Sequence, residues 1–152
     1  MRHLIAAAVA GFALLVAGAA SAAGIEVSGA WIRTPPPGAV TAAAYATISN
    51  HGFSDRLMDG QTVVAASVVP HEMSMAGGIM RMRPLAGGLG LSASQTVTLS
   101  PNGDHLMLLG LKRPLHAGEH VKIVLNFRRA GQAPVDFVVR DTAPGGMFGM
   151  HM

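Results

Sequence analysis

The feature that most constrains this chain is the pattern of side chains on either side of Gly77 and Gly78. A Gly-Gly pair reaches the positive φ angles of a tight primed turn without steric cost, which predicts a β-hairpin with Ala76 opposite Ile79. Farther from the turn the same register predicts these further cross-strand pairs: Met75 with Met80, Ser74 with Arg81, Met73 with Met82, and Glu72 with Arg83. Because side chains alternate between the faces of a strand, one face should carry sulfur and the other charge.

The predicted sulfur face contains no branched aliphatic residue; its members are His71, Met73, Met75, Met80 and Met82. Methionine is more often a flexible core filler than a ligand, and for each residue taken singly that interpretation stays open. A core face, however, is expected to mix Val, Ile, Leu and Phe. Thioether and imidazole without thiolate or carboxylate form a soft ligand set, which suits Cu(I) better than Zn, Mg or Ca.

A second pair of soft donors lies farther along the chain. His105 and Met107 are separated by one residue, so they share one side of a predicted strand, with Leu106 on the opposite side. The Asn102-Gly103 turn signal delivers the chain directly into His105. If the two segments lie face to face, their donors surround one soft ion.

These segments, HEMSMAGGIMRMRP from position 71 and HLMLLGLKRPL from position 105, resemble the motif of the periplasmic copper chaperone family PCu(A)C. The similarity runs from Trp31 to Val139 and includes the stretch TPPPGAVTAAAYATISN. It implies a cupredoxin-like Greek-key β-sandwich. It also implies that Cu(I) is bound by these side chains: His71, Met82, His105 and Met107. The spacing from Met82 to His105 is slightly longer than the family pattern, which an extra residue in the Gly-rich loop between them would explain.

The N-terminus has the three regions of a secretory signal peptide. Arg2 and His3 precede an apolar run from Leu4 to Ala19, and the small residues 20–22 fit a cleavage site. A permanent membrane anchor is the alternative, but the run is shorter than the roughly 20 apolar residues of a spanning helix. We therefore expect residues 1–23 to be removed on export to the periplasm, leaving no permanent membrane span.

Composition excludes several classes of function. Without Arg2, Lys and Arg barely outnumber Asp and Glu, and no basic run with interleaved aromatics occurs, so no nucleic-acid partner is expected. The chain has no cysteine, which excludes the cysteine-ligated blue-copper site of an electron-transfer cupredoxin. Thioethers also keep a soft sulfur available where thiols would form disulfides. No nucleophile and base pair, phosphate loop or carboxylate dyad stands out, so enzymatic activity is not expected.

From Gly24 onward the chain is predicted to be all-β, forming a single domain over residues 24–142 with about seven short strands in a two-sheet sandwich. The alanines between Thr41 and Ser49 leave a helix as an alternative, but the β-branched and aromatic residues there favour a strand. Leu57 to Val69 is predicted as one strand with a kink, and Leu85 to Gly90 as a loop. His116 and His120 are predicted to be exposed loop residues rather than ligands.

Residues 143–152 form a Gly-rich tail without a strand pattern. Such a tail is commonly disordered, but this one repeats the soft donors of the hairpin. Its candidate ligands for a second, auxiliary copper are Met147, Met150, His151 and Met152.

The function that these features favour is a copper chaperone. It would hold Cu(I) and deliver it, in cytochrome oxidase assembly, to a copper-accepting oxidase subunit or to another copper carrier. Two alternatives stay open. One is a metal-free Ig-like extracytoplasmic interaction module, for which the sandwich alone suffices. The other is a copper storage or resistance protein.

Overall fold

The computed structural model describes residues 20–22 and 24–143. Every helix or strand within these residues is a β-strand, which confirms the all-β prediction. The strands are β1 (Ala20–Ala22), β2 (Ile25–Arg33), β3 (Thr41–Asn50), β4 (Asp55–Gln61), β5 (Ala65–Ala76), β6 (Ile79–Pro84), β7 (Leu89–Leu91), β8 (Thr96–Thr98), β9 (His105–Leu111), β10 (His120–Phe127) and β11 (Gly131–Arg140). The described part of the chain contains no helix long and apolar enough to cross a membrane.

The strands form one barrel-like sheet. Hydrogen-bonded neighbours follow the order β2, β11, β10, β4, β5, β9 and β3, and β3 pairs in turn with β2, which closes the ring. The pairing of β11 with β2 is parallel, whereas β5 and β9 run antiparallel. Strand β9 begins at His105 and lies between β5 and β3, which confirms the predicted strand that carries His105 and Met107.

The interior is filled by alternate side chains of the strands. In β10 the buried positions are Val121, Ile123, Leu125 and Phe127, with more exposed residues between them. In β9 the side chains of Leu106 and Leu108 are fully buried in the same core. Because neighbouring residues of a strand face opposite sides, His105 and Met107 lie on the outer face of the sheet.

Strand β3 confirms the strand prediction for its alanine-rich stretch. Ala42, Ala44 and Ala46 face the interior and are buried, where their small side chains fit between the flanking strands β2 and β9. Burial against these neighbours outweighs the helix propensity of alanine.

Two boundaries differ from the prediction. The stretch from Leu57 to Val69 was predicted as one strand, but the chain reverses at residues 62–64 and forms β4 and β5. Val63 sits in this turn with 87% of its surface exposed, so its β-branched side chain gave a misleading strand signal. The predicted loop from Leu85 to Gly90 contains the start of β7, which pairs with β4.

Candidate metal centre

The hairpin of β5 and β6 has the predicted register, with Ala76 opposite Ile79 and Met75 opposite Met80. The turn residues Gly77 and Gly78 have φ angles of 59° and 78°, as a primed turn requires. Residues directly opposite each other in an antiparallel pair share a face. The soft donors therefore share one face, which we call the thioether face: His71, Met73, Met75, Met80 and Met82.

Strand β9 adds the second donor pair to this face. His71 lies directly opposite His105, and Val69 lies opposite Met107. The two imidazole rings are stacked, with centroids 6.1 Å apart and an angle of 22° between their planes. The fold therefore brings together two histidines that are far apart in the sequence, with Met107 one step along the same side of β9.

Met82 lies on the same face but one step toward the hairpin turn. It is paired with Met73, two residues beyond His71 on β5. Such diagonal neighbours are typically about 7–8 Å apart, within reach of a long flexible side chain. All four residues that the motif indicates thus share one continuous face, with Met82 as the outermost member.

Both imidazoles are oriented by the same local contact. The Nδ1 atom of His71 lies 3.1 Å from the carbonyl oxygen of Val69, and Nδ1 of His105 lies 3.0 Å from the carbonyl oxygen of Gly103. Because a carbonyl oxygen only accepts hydrogen bonds, we infer that Nδ1 carries the proton in both rings. The lone pair then lies on Nε2, which is the arrangement that a histidine ligand to a metal usually has.

Exposure rises steadily from β9 toward the hairpin turn. His105 is 4% exposed and Met107 is 9% exposed, whereas Met82 is 54% and Met75 is 64% exposed. The core-filler interpretation is therefore wrong for Met75, Met80 and Met82, which have large exposed surfaces. Met107 is buried on the outer face, outside the apolar core cluster.

Two aromatic residues, Trp31 and Tyr45, lie on the side of His105 that faces away from His71. The Tyr45 ring lies 6.2 Å from the His105 ring and 4.8 Å from the Trp31 ring, measured between centroids. Burial raises the pKa of the Tyr45 phenol, an effect that the charge of Arg33 partly offsets, so the phenol stays neutral at physiological pH. No local sequence pattern predicts this contact, because it depends on the pairing of β3 with β9.

Other donors lie elsewhere in the structure. Within the described residues, no group of three or more His, Cys, Asp or Glu side chains is arranged to hold a metal ion. Glu72 forms an ion pair with Arg83 on the opposite face of the hairpin. His51 and His116 are exposed. His120 is also exposed, but it is the first residue of β10 rather than a loop residue, and its Nδ1 lies 2.6 Å from a carboxylate oxygen of Asp136.

Two sequence predictions concern residues outside the described ones. The auxiliary ligands Met147, Met150, His151 and Met152 all lie there, as does most of the predicted signal peptide. Ala20–Ala22, at the predicted cleavage site, form β1 and pair with Ile25–Val27.

Comparisons with known proteins find a family and a related protein that are both described as putative lipoproteins. A family described as "Putative lipoprotein LpqE-like" matches residues 25–139. The "Putative lipoprotein Lxx21020" of Leifsonia xyli subsp. xyli is 34% identical over 119 residues, which cover 78% of this chain and 70% of that protein.

Solved structures of PCuAC domains have the same fold. The apo PCuAC domain from PmoF1 has a TM-score of 0.69 and 26% identity, and the match covers 82% of this chain and 99% of that chain. The solution structure of CuI-DR1885 from Deinococcus radiodurans has a TM-score of 0.60 and 32% identity over 83% of each chain.

Proposed function

We propose that this chain, which belongs to the LpqE-like family, is a copper chaperone that carries one Cu(I) ion on the thioether face. The observation that carries this proposal is the His71–His105 cross-strand pair: the two rings are stacked, and the Nδ1 atom of each ring lies within hydrogen-bond distance of a backbone carbonyl oxygen. Support also comes from the Cu(I) form of DR1885, a protein 32% identical to this chain.

Four side chains form the proposed main centre: His71, Met82, His105 and Met107. Each is a neutral donor when the imidazoles are unprotonated, and imidazole with thioether is a set that prefers Cu(I) to harder ions. A thiolate would hold the ion more firmly, but no cysteine is present to supply one. A neutral donor set is therefore suited to an ion that must be released again.

The exposure of the centre suits transfer. The two innermost members, His105 and Met107, are nearly inaccessible, whereas more than half of Met82 is exposed. A partner can therefore approach from the side of Met82 and replace that thioether first, while the buried donors still hold the ion. We infer that delivery proceeds by such stepwise exchange of ligands, either to an oxidase subunit that accepts copper or to another carrier.

The proposal includes export. Removal of residues 1–23 as a signal peptide would place the mature chain in the periplasm, where copper-accepting domains are accessible. Residues 143–152 would then supply an auxiliary copper site through Met147, Met150, His151 and Met152.

Delivery is tested by loading the mature protein with one equivalent of Cu(I) and mixing it with the soluble copper-binding domain of a cytochrome oxidase subunit. After the two proteins are separated, most of the copper should be found on the acceptor. The variant His71→Asn should bind and deliver less copper, whereas the control His51→Asn, changed at an exposed histidine away from the centre, should behave like the parent. Copper that stays on the parent protein, or equally tight binding of Zn(II) under reducing conditions, would contradict the proposal.

A further inference from the structure

The outer half of the hairpin presents methionines that neither the core nor the main centre uses. Met75 is 64% exposed and Met80 is 47% exposed. Among the described strands, β6 pairs only with β5, and neither methionine belongs to the apolar core of the described residues or packs against it. A contiguous patch of exposed apolar side chains indicates a binding site, and Met75, Met80 and Met82 form such a patch because they lie on adjacent cross-strand pairs of one face.

Their positions are fixed by the register of the hairpin. Met75 lies directly opposite Met80, and Met73 lies opposite Met82 on the neighbouring pair. Residues directly opposite each other have Cβ atoms roughly 4.5–5.5 Å apart, so two flexible methionine side chains can bring their sulfur atoms to one common point. The Gly77-Gly78 turn holds the two strands in this register.

The ligand atoms present near the hairpin turn determine which kind of ion can bind there. On the thioether face of the hairpin beyond His71, every residue is a methionine, while the charged and hydroxyl side chains of Ser74, Arg81 and Arg83 lie on the opposite face. Hard cations need oxygen ligands, which this face does not present. Thioether sulfur alone favours a soft monovalent ion.

We propose that Met73, Met75 and Met80 form a second site for a soft monovalent ion, Cu(I) or Ag(I), near the hairpin turn. We call it the tip site. It should bind more weakly than the main centre, because it lacks imidazole and is open to water. Successive cross-strand pairs along the face are two residues apart, or roughly 7 Å, so an ion bound at the tip site lies about one such spacing from Met82.

The role of the tip site follows from this spacing and rests on the proposed function. An ion captured by Met75 and Met80 can be passed to Met73 and Met82 and then to the two imidazoles. At each step one thioether replaces another on the ion, with no change in its oxidation state. The tip site would therefore speed the loading of the main centre without changing the final affinity.

Binding at the tip is tested on the full chain labelled with ¹³C at the methionine methyl groups and titrated with Ag(I), followed by NMR. The methyl signals of Met82 and Met107 should shift with the first equivalent, and those of Met75 and Met80 should shift only at higher Ag(I), where the tail methionines proposed as auxiliary ligands also respond. Met58 is a described methionine on β4, away from the thioether face, and its signal serves as the internal control that should not move. Unchanged Met75 and Met80 signals beyond one equivalent would overturn the tip site.

The same titration separates this inference from the proposed function. If Met75 and Met80 respond but Met82 and Met107 do not, the tip site stands and the main centre is wrong. The variant Met75→Leu with Met80→Leu should keep the response of Met82 and Met107 to the first equivalent and remove the response of Met73 at higher Ag(I).

The loading role is tested by stopped-flow mixing with a Cu(I) complex of a weak chelator. The Met75→Leu and Met80→Leu double variant should load the main centre several-fold more slowly at unchanged affinity, whereas Met58→Leu should load at the parent rate. Equal rates in the double variant and the parent would overturn the loading role.

Discussion

At the scale of single residues, the centre depends on how each side chain is held. The His105 ring is fixed by its contact with the Gly103 carbonyl and lies between the rings of Tyr45 and His71. Met82, in contrast, is positioned by the backbone register of the hairpin, and more than half of its surface is exposed. One end of the centre is therefore preorganised, and the other end adapts to the ion or to a partner.

The first prediction separates ligation from packing. Replacing Met82 and Met107 together with Leu keeps the apolar volume but removes both soft sulfur atoms. The free energy of unfolding should fall by less than about 1.5 kcal/mol per site, whereas Cu(I) affinity, measured by competition with a chelator, should drop by roughly 10–100-fold or more. The control is Met58→Leu, which should keep the parent affinity. Parent-like affinity in the double variant would mean that these methionines are not ligands.

At the scale of strands, an acidic residue ties the start of β4 to the turn between β10 and β11. The Asp55 carboxylate accepts hydrogen bonds from the backbone amides of Arg129, Ala130 and Arg56 at 2.7, 2.9 and 2.8 Å. Asp55 is 7% exposed. Burial alone would raise the pKa of this carboxyl, but the three amides and the charge of Arg129 hold it below its usual range.

The second prediction concerns Asp55→Asn. Because charged hydrogen bonds contribute about 1.5–3 kcal/mol each and the amide keeps part of them, the variant should lose roughly 1–3 kcal/mol of unfolding free energy at neutral pH. A lowered folded-state pKa means that this stabilisation is fully present above the unfolded-state pKa and is lost as pH falls through the folded-state pKa. Denaturant titrations should therefore show the gap between parent and variant narrowing in acid.

The matched control for that change is Asp59→Asn on the same strand. Asp59 is exposed and accepts one hydrogen bond, from the side-chain amide of Asn126 at 2.6 Å. Its replacement should alter stability by about 0.5 kcal/mol or less, as is usual for surface positions. A gap between parent and Asp55→Asn that stays constant from neutral to acid pH would contradict the account of the carboxylate.

The strands also show what the sequence could and could not predict. The register of the hairpin was predicted correctly because it depends on local signals, the Gly-Gly turn and the alternation of side chains. The reversal at Val63 was not predicted, because its β-branched side chain favours a strand while the pairing of β4 with β5 requires a turn. The contact of His71 with His105 was only a conditional expectation, since no local pattern determines which strands become neighbours.

At the scale of the whole molecule, the hairpin extends from a closed ring of hydrogen-bonded strands. Strand β5 belongs to both parts: its first half pairs with β9 in the ring, and its second half pairs with β6. The main centre lies where these halves meet, at His71. The fold thus joins a fixed set of donors on β9 with a more exposed set on the hairpin.

The third prediction concerns the tail. A chain that ends at Thr142 should keep its unfolding free energy and its affinity at the main centre, because the described core and the four proposed ligands all precede that residue. Its total copper capacity should be lower, since the truncation removes the soft donors of residues 147–152. Metal analysis after equilibrium dialysis measures this capacity. Unchanged stoichiometry would show that the tail does not bind copper.

The most direct test of the central claim is X-ray absorption spectroscopy of the full chain loaded with one equivalent of Cu(I). The copper ion should be bound by two imidazole nitrogens and two thioether sulfurs. The imidazole scattering should be lost when His71 and His105 are both replaced by Asn, and the sulfur shell should shrink when Met82 and Met107 are both replaced by Leu. A first shell made only of oxygen and nitrogen, or one without imidazole scattering in the parent, would contradict the account.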